Sequence, residues 1–206
     1  EIYSVDPVTL DLVRLTTNTR DDFGADWSPD GTRIAFAGDY GGGNYEIAVM
    51  NADGSDVKKL THNKGVDTLP AWSPDGTRIA FQRATGRGDV ELFVMNADGT
   101  GVTRLTDNRA DDNFPDWSPD GTKLSFSSTR TGNRDIYAMN SDGTGVTRLT
   151  RSKRPEMYSS WSPDGAKIVY DGFAGDWDVW MMNAEGNDAQ NLTQDNRDEL
   201  QPAFSP

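Results

Sequence analysis

The phrase Trp-Ser-Pro-Asp-Gly occurs at Trp27, Trp72 and Trp117 and again at Trp161, and Phe204 stands in the same column; successive spacings are 45, 45, 44 and 43 residues. A second column keeps step with it. Leu15-Thr16, Leu60-Thr61, Leu105-Thr106, Leu149-Thr150 and Leu192-Thr193 each place the Thr eleven residues before the aromatic. A period this regular makes the chain an array of like units, and the array dictates the fold before any local reading does.

Each unit reads as four short strands. In the second copy they are Pro70 to Pro74, Thr77 to Phe81, Glu91 to Met95 and Val102 to Thr106. Ser-Pro-Asp-Gly joins the first two as a turn, with Pro presetting one φ, Asp tolerating the next corner and Gly accepting a positive φ. A second Asp-Gly turn, in Asn-Ala-Asp-Gly, joins the last two. No stretch of ten residues has helical periodicity. A four-stranded meander cannot bury both faces alone, so the units are expected to pack face to face around an axis. The fold class that follows is all-β: a β-propeller in one domain spanning 1–206, with complete blades at about 27–71, 72–116, 117–160 and 161–203. Residues 1–16 align without a gap to Glu91 to Thr106 as a third and fourth strand, and Gln201 to Pro206 matches a first strand. A fifth blade split between 1–26 and 204–206 is therefore expected, lacking its second strand. That gap invites pairing with a second copy of the chain, and an arc cut from a six-bladed parent is the competing count.

The repeated segments, with the pattern Trp-Ser-Pro-Asp-Gly, Arg-Ile-Ala-Phe, Val-Met-Asn-Ala-Asp-Gly and Arg-Leu-Thr, resemble the WD-like repeat of the TolB C-terminal propeller over nearly the whole chain. The resemblance implies a periplasmic or extracellular protein of the Tol biopolymer transport type. It further implies a non-enzymatic scaffold for a protein or peptide partner, or a propeller attached to a peptidase. Such propellers mostly have six blades, and this chain departs from them in blade number.

The net charge is −13, which repels phosphate backbones, so nucleic acid is not an expected partner and basic surfaces or cations are. No apolar run approaches membrane-spanning length, and no signal peptide opens the chain. Cysteine is absent, which excludes thiol catalysis and Cys-based zinc sites. The one histidine, His62, shares its column with Thr17, Asp107, Arg151 and Gln194, as a surface residue would. The Asp residues of the turn phrase, Asp30, Asp75, Asp120 and Asp164, read as turn formers.

One column carries candidate chemistry. Asp22, Asp67, Asp112, Glu156 and Glu199 stand five residues before each aromatic, all carboxylates, in the connection entering the innermost strand. If fivefold repetition brings them to one channel mouth, their repulsion is relieved by protonation or by a cation, with calcium the favoured ion for an irregular oxygen shell. Alternatively each caps its own loop. A second acidic column, Glu1, Glu46, Glu91, Asp135 and Asp178, opens each third strand and reads as structural. Tyr40, Tyr45, Phe173, Trp177 and Trp180 fall outside the repeat and are candidates for a contact patch. Three functions stay open: a binding scaffold with an acidic channel mouth, a hydrolase or lyase propeller using channel carboxylates, and a natural or engineered repeat piece with a structural role only. Near identity of the copies argues against catalysis, which needs acids tuned differently from one another.

Overall fold

The fold is given by a computed structural model, which describes residues 1–194 and 197–204. It is all-β. A half-unit, β1 (Tyr3–Val5) and β2 (Leu12–Arg14), is followed by four blades. The first is β3 (Asp22–Trp27), β4 (Arg33–Asp39), β5 (Tyr45–Asn51) and β6 (Lys58–Lys59). The second is β7 (Val66–Trp72), β8 (Arg78–Ala84), β9 (Val90–Asn96) and β10 (Thr103–Arg104). The third is β11 (Asp112–Trp117), β12 (Lys123–Ser128), β13 (Asp135–Asn140) and β14 (Thr147–Arg148). The fourth is β15 (Glu156–Trp161), β16 (Lys167–Phe173), β17 (Trp177–Asn183) and β18 (Gln190–Asn191). Each blade is one antiparallel sheet in chain order.

The turn phrase works as its composition dictates. Asp30 Oδ1 accepts hydrogen bonds from Ser28 Oγ, Thr32 N and Thr32 Oγ1, while Ser28 Oγ accepts one from Arg33 N. The other three copies repeat the Ser–Asp bond, with Asp75, Asp120 and Asp164. Gly31, Gly76, Gly121 and Gly165 close the turn at φ of 67, 68, 69 and 69°, a conformation that costs a residue with a Cβ.

Two strand expectations shift. The first strand of each blade starts five or six residues ahead of its Trp, so it takes in the acid column that the sequence reading left in the connection. The reason is a bulge. Pairing with the second strand slips between Phe23 and Asp26, Thr68 and Ala71, Asn113 and Asp116, and Met157 and Ser160, and the strand resumes on the far side. The fourth strand, read as five residues, is only two long.

Blades stack through the aromatic column. Trp72 packs on Ala35, Ile47, Val49 and Leu60 of the first blade; Trp117 packs on Ala71, Ala80, Leu92 and Val94 of the second; Trp161 packs on Ile136, Ala138 and Leu149 of the third. All three are buried, but Trp27 is 48% exposed. Equivalent places in the repeat predict burial for all four, and Trp27 departs from it. The half-unit packs Ile2 and Leu15 against Ile34, Phe36, Ala48 and Met50 of the first blade, but it has no counterpart of β8 or β12 for the indole of Trp27 to lie on.

The chain runs on past the fourth blade into the start of a further unit. Glu199 N donates to Trp177 O at 2.8 Å, as Glu156 N donates to Arg134 O at 2.8 Å one unit earlier. Residues 199–204 thus lie against the fourth blade along the path of a next first strand, though without a partner strand. Ser205 and Pro206, which the reading included, are outside the described residues. Among the described strands, β1 and β2 make no contact with β15–β18.

Candidate functional site

In the first three blades the carboxylate of the acid column is held within a socket of its own. In the second blade Asp67, fully buried, accepts from Arg83 Nε at 2.5 Å and Nη2 at 2.7 Å, and from Asn63 Nδ2 at 2.7 Å. In the third, Asp112 accepts from Arg130 Nη2 at 3.0 Å on both oxygens and from Asn108 Nδ2 at 2.6 Å. In the first, Asp22 accepts from Asn18 Nδ2. In the fourth, Glu156 has neither an Arg nor an Asn, and its Oε2 is buried without a partner; Glu199 Oε2 is in the same condition. Burial pushes the Glu156 carboxyl up to about 7, with the charge of Asp135 adding to it and bonds from Thr150 and Ser152 and the charge of Arg148 opposing. Among the described residues no group of three His, Asp or Glu side chains could hold a metal ion. Asp67 and Asp112 each have their own guanidinium, which offsets the charge that a shared cation would otherwise offset.

The second acidic column ties strand three to strand four. Thr61 Oγ1 donates to Glu46 Oε2 at 2.6 Å and accepts from Ile47 N at 2.9 Å. Arg104 Nη2 meets Glu91 at 2.8 Å, and Arg148 Nη2 meets Asp135 at 2.9 Å. This is why the Leu-Thr pair keeps its distance from the aromatic. His62 is exposed. Of the unrepeated aromatics, Phe173 and Trp177 touch edge to face at 5.4 Å, while Tyr45 meets Phe23 at 5.0 Å.

What does converge is the bulge column. Gly24, Leu69, Phe114, Tyr158 and Gln201 take φ of 65, 51, 58, 52 and 60°, a left-handed conformation uncommon in residues other than Gly. They surround one cavity of about 290 Å³ together with Asp26, Pro70, Pro115, Asp116 and Pro202. The five first-strand paths thus meet on a shared axis, the central channel. Phe114 and Tyr158 stack there at 4.0 Å. Asp26 Oδ2 accepts from Trp72 N at 2.6 Å and Asp116 Oδ2 from Trp161 N at 3.0 Å, so each clasps the next blade. Burial pushes Asp26 up to about 6. Burial likewise pushes Asp116 up to about 7, where the Asp26 charge adds to the effect. The sequence signal for this pair was an Asp directly before the Trp in two of the five units. Nothing in the sequence signals the bulge, because only Gly24 of its column is a glycine.

The channel can receive a cation or a hydrogen-bond donor beside apolar and aromatic walls, and among the described residues no helix is long and apolar enough to cross a membrane. A comparison with curated proteins gave no match. Among solved structures, the TolB of Acinetobacter baumannii is similar at 26% identity and a TM-score of 0.85 over 98% of this chain, which spans 50% of that one. A protein described as TolB from Agrobacterium tumefaciens is similar at 21% identity and a TM-score of 0.74, over 92% of this chain and 86% of that one. A puromycin-hydrolyzing peptidase of Mycobacterium tuberculosis shares the fold at 18% identity and a TM-score of 0.73, over 92% of this chain and 34% of that one. The model of the TolB beta propeller domain matches residues 17–87 and 70–206, and with its four-stranded blades around a common channel the chain belongs to that family.

Proposed function

We propose that the protein is a non-enzymatic binding scaffold of the periplasm or the extracellular space, and that its channel receives a basic peptide or the basic surface of a protein partner. The observation that supports this most directly is the pair of carboxylates, Asp26 and Asp116, at the wall of a cavity also lined by Leu69, Phe114 and Tyr158. Burial raises both carboxyls, Asp116 the more, so an entering ammonium or guanidinium draws them toward the ionised form and gains a charge-assisted bond in a site shielded from water. The apolar wall takes the stem of a long cationic side chain. The net charge of −13 draws such a partner in from a distance, an attraction that fades with salt.

An oligolysine peptide titrated into the protein tests the reading. Binding is expected to weaken with salt and to fall about tenfold when Asp26→Asn and Asp116→Asn are combined, a change of about 1.4 kcal/mol. Equal binding by that variant would sink the proposal. A calcium arm at fixed ionic strength addresses the competing use of Asp22, Asp67, Asp112, Glu156 and Glu199 as metal ligands. A calcium-specific rise in Tm that Asp22→Asn removes would favour the metal.

A further inference from the structure

A cavity of about 550 Å³ lies away from the channel, over the fourth blade. Its meaning comes from comparing like positions in successive blades. In the second blade the guanidinium that binds Asp67 sits 5.4 Å from the ring of Phe81 and 4.5 Å from that of Phe93, which face each other across β8 and β9. In the third, the guanidinium that binds Asp112 sits 5.2 Å from Phe126 and 4.7 Å from Tyr137, again a facing pair. Each socket therefore has three parts: a buried acid, two facing rings and an arginine.

The fourth blade keeps two of the three. Glu156 is the acid, and Tyr170 and Trp180 are the facing rings. The positions of Arg83 and Arg130 are taken by Gly172 and Ala174. Where the other blades place an Asn beside the acid there is the shorter Ser152, whose one hydroxyl serves both Glu156 and Arg154 O, the latter at 2.8 Å. Glu156 is 94% buried by its 6% exposure, lines the cavity, and leaves Oε2 unpartnered. Trp180 Nε1 is also buried without a partner, a donor free for an oxygen of the same ligand. An unpaired buried acceptor is costly, and it is relieved by a donor from outside.

We propose that this cavity is a receptor for a guanidinium: the arginine side chain of a peptide or protein partner enters it, bonds Glu156 and stacks on Tyr170 and Trp180, completing the trio that blades two and three complete internally. The cationic rim of Arg151, Lys153 and Arg154 faces the ligand's carbonyl or carboxylate oxygens rather than its side chain. A planar guanidinium fits such a site better than an ammonium, because it offers a fork of donors and a face for stacking.

Calorimetric titration with N-acetyl-L-arginine amide tests this on the full chain carrying Asp26→Asn and Asp116→Asn, which removes the carboxylates of the channel from the measurement. Saturable one-to-one binding is expected, about tenfold weaker for the lysine analogue. Glu156→Gln should abolish it. Ala174→Arg, which restores the internal arginine of the third blade, should abolish it too while raising Tm, and it keeps the test decisive if the Gln variant fails to fold. With the channel carboxylates absent from every arm, the binding that is read belongs to this socket, and its failure leaves the channel reading untouched. No saturable binding, undiminished binding by Glu156→Gln, or competition of phosphate for the same site would each overturn the proposal.

Discussion

Trp27 and Trp117 are the same letter of the repeat in different surroundings. Trp117 is buried against the second blade and its Nε1 donates to Ala71 O at 3.0 Å, whereas Trp27 is half exposed. Trp117→Ala should therefore cost about 3–5 kcal/mol, as truncation of a large core aromatic does, and Trp27→Ala about 1 kcal/mol or less. Chemical denaturation of the two variants checks the contrast, and equal losses would show that burial does not separate the copies. The left-handed bulge gives a second contrast. Leu69 at φ 51° carries a γ-branched side chain. Leu69→Val, with its branch at Cβ, should lose about 1–2 kcal/mol, while Leu69→Asn, which tolerates this conformation, should lose less of the backbone part. That column was invisible in the sequence because its residues share no chemistry, only a backbone angle imposed by pairing with the second strand.

At the scale of the element, the first strand carries the functional weight of each blade, presenting an acid outward to its socket and the bulge residue inward to the channel. The socket acids were legible as a column, since five carboxylates in register are hard to miss. Their partners were not, because Arg83 and Arg130 occupy different repeat positions, two residues apart in register, and no column of arginines exists to be seen. The placing of the strands was read correctly at the turns, where Pro, Asp and Gly dictate geometry, and misread at the bulges, which no residue type marks. The ion pairs themselves make a prediction. Arg83→Met leaves Asp67 buried with its charge uncompensated and should cost about 3–5 kcal/mol, whereas combining it with Asp67→Asn should recover most of the loss. A double-mutant cycle measured by denaturation decides the point, and additive losses would mean that the pair is not coupled.

For the whole molecule, stability should respond to pH in a direction set by the carboxyls that burial raises. Asp116 and Glu156 lie at about 7 and Asp26 and Asp171 at about 6, all above their ordinary values of 3.8 or 4.5. Each binds a proton more tightly folded than unfolded, so their contribution is fully present below about pH 4 and is lost as pH rises through 6 to 7. Asp30 and Asp75 act oppositely: bonds from Ser28 and Ser73 first, and from the neighbouring Thr groups, hold them down at about 2, so their stabilisation is lost only as pH falls toward that value. Tm should accordingly be highest in mildly acid solution and decline toward pH 8, and Asp116→Asn should flatten the decline. A Tm still rising between pH 5 and 8 would contradict the assignment. The outermost strands, finally, are only two residues long in every blade. A chain built of near-copies risks joining the wrong edges, within one molecule or between many, and a long free edge is the template for such fibrous growth. Here each outer rim offers a ladder of two residues, which gives the strand of a neighbouring copy little to pair with.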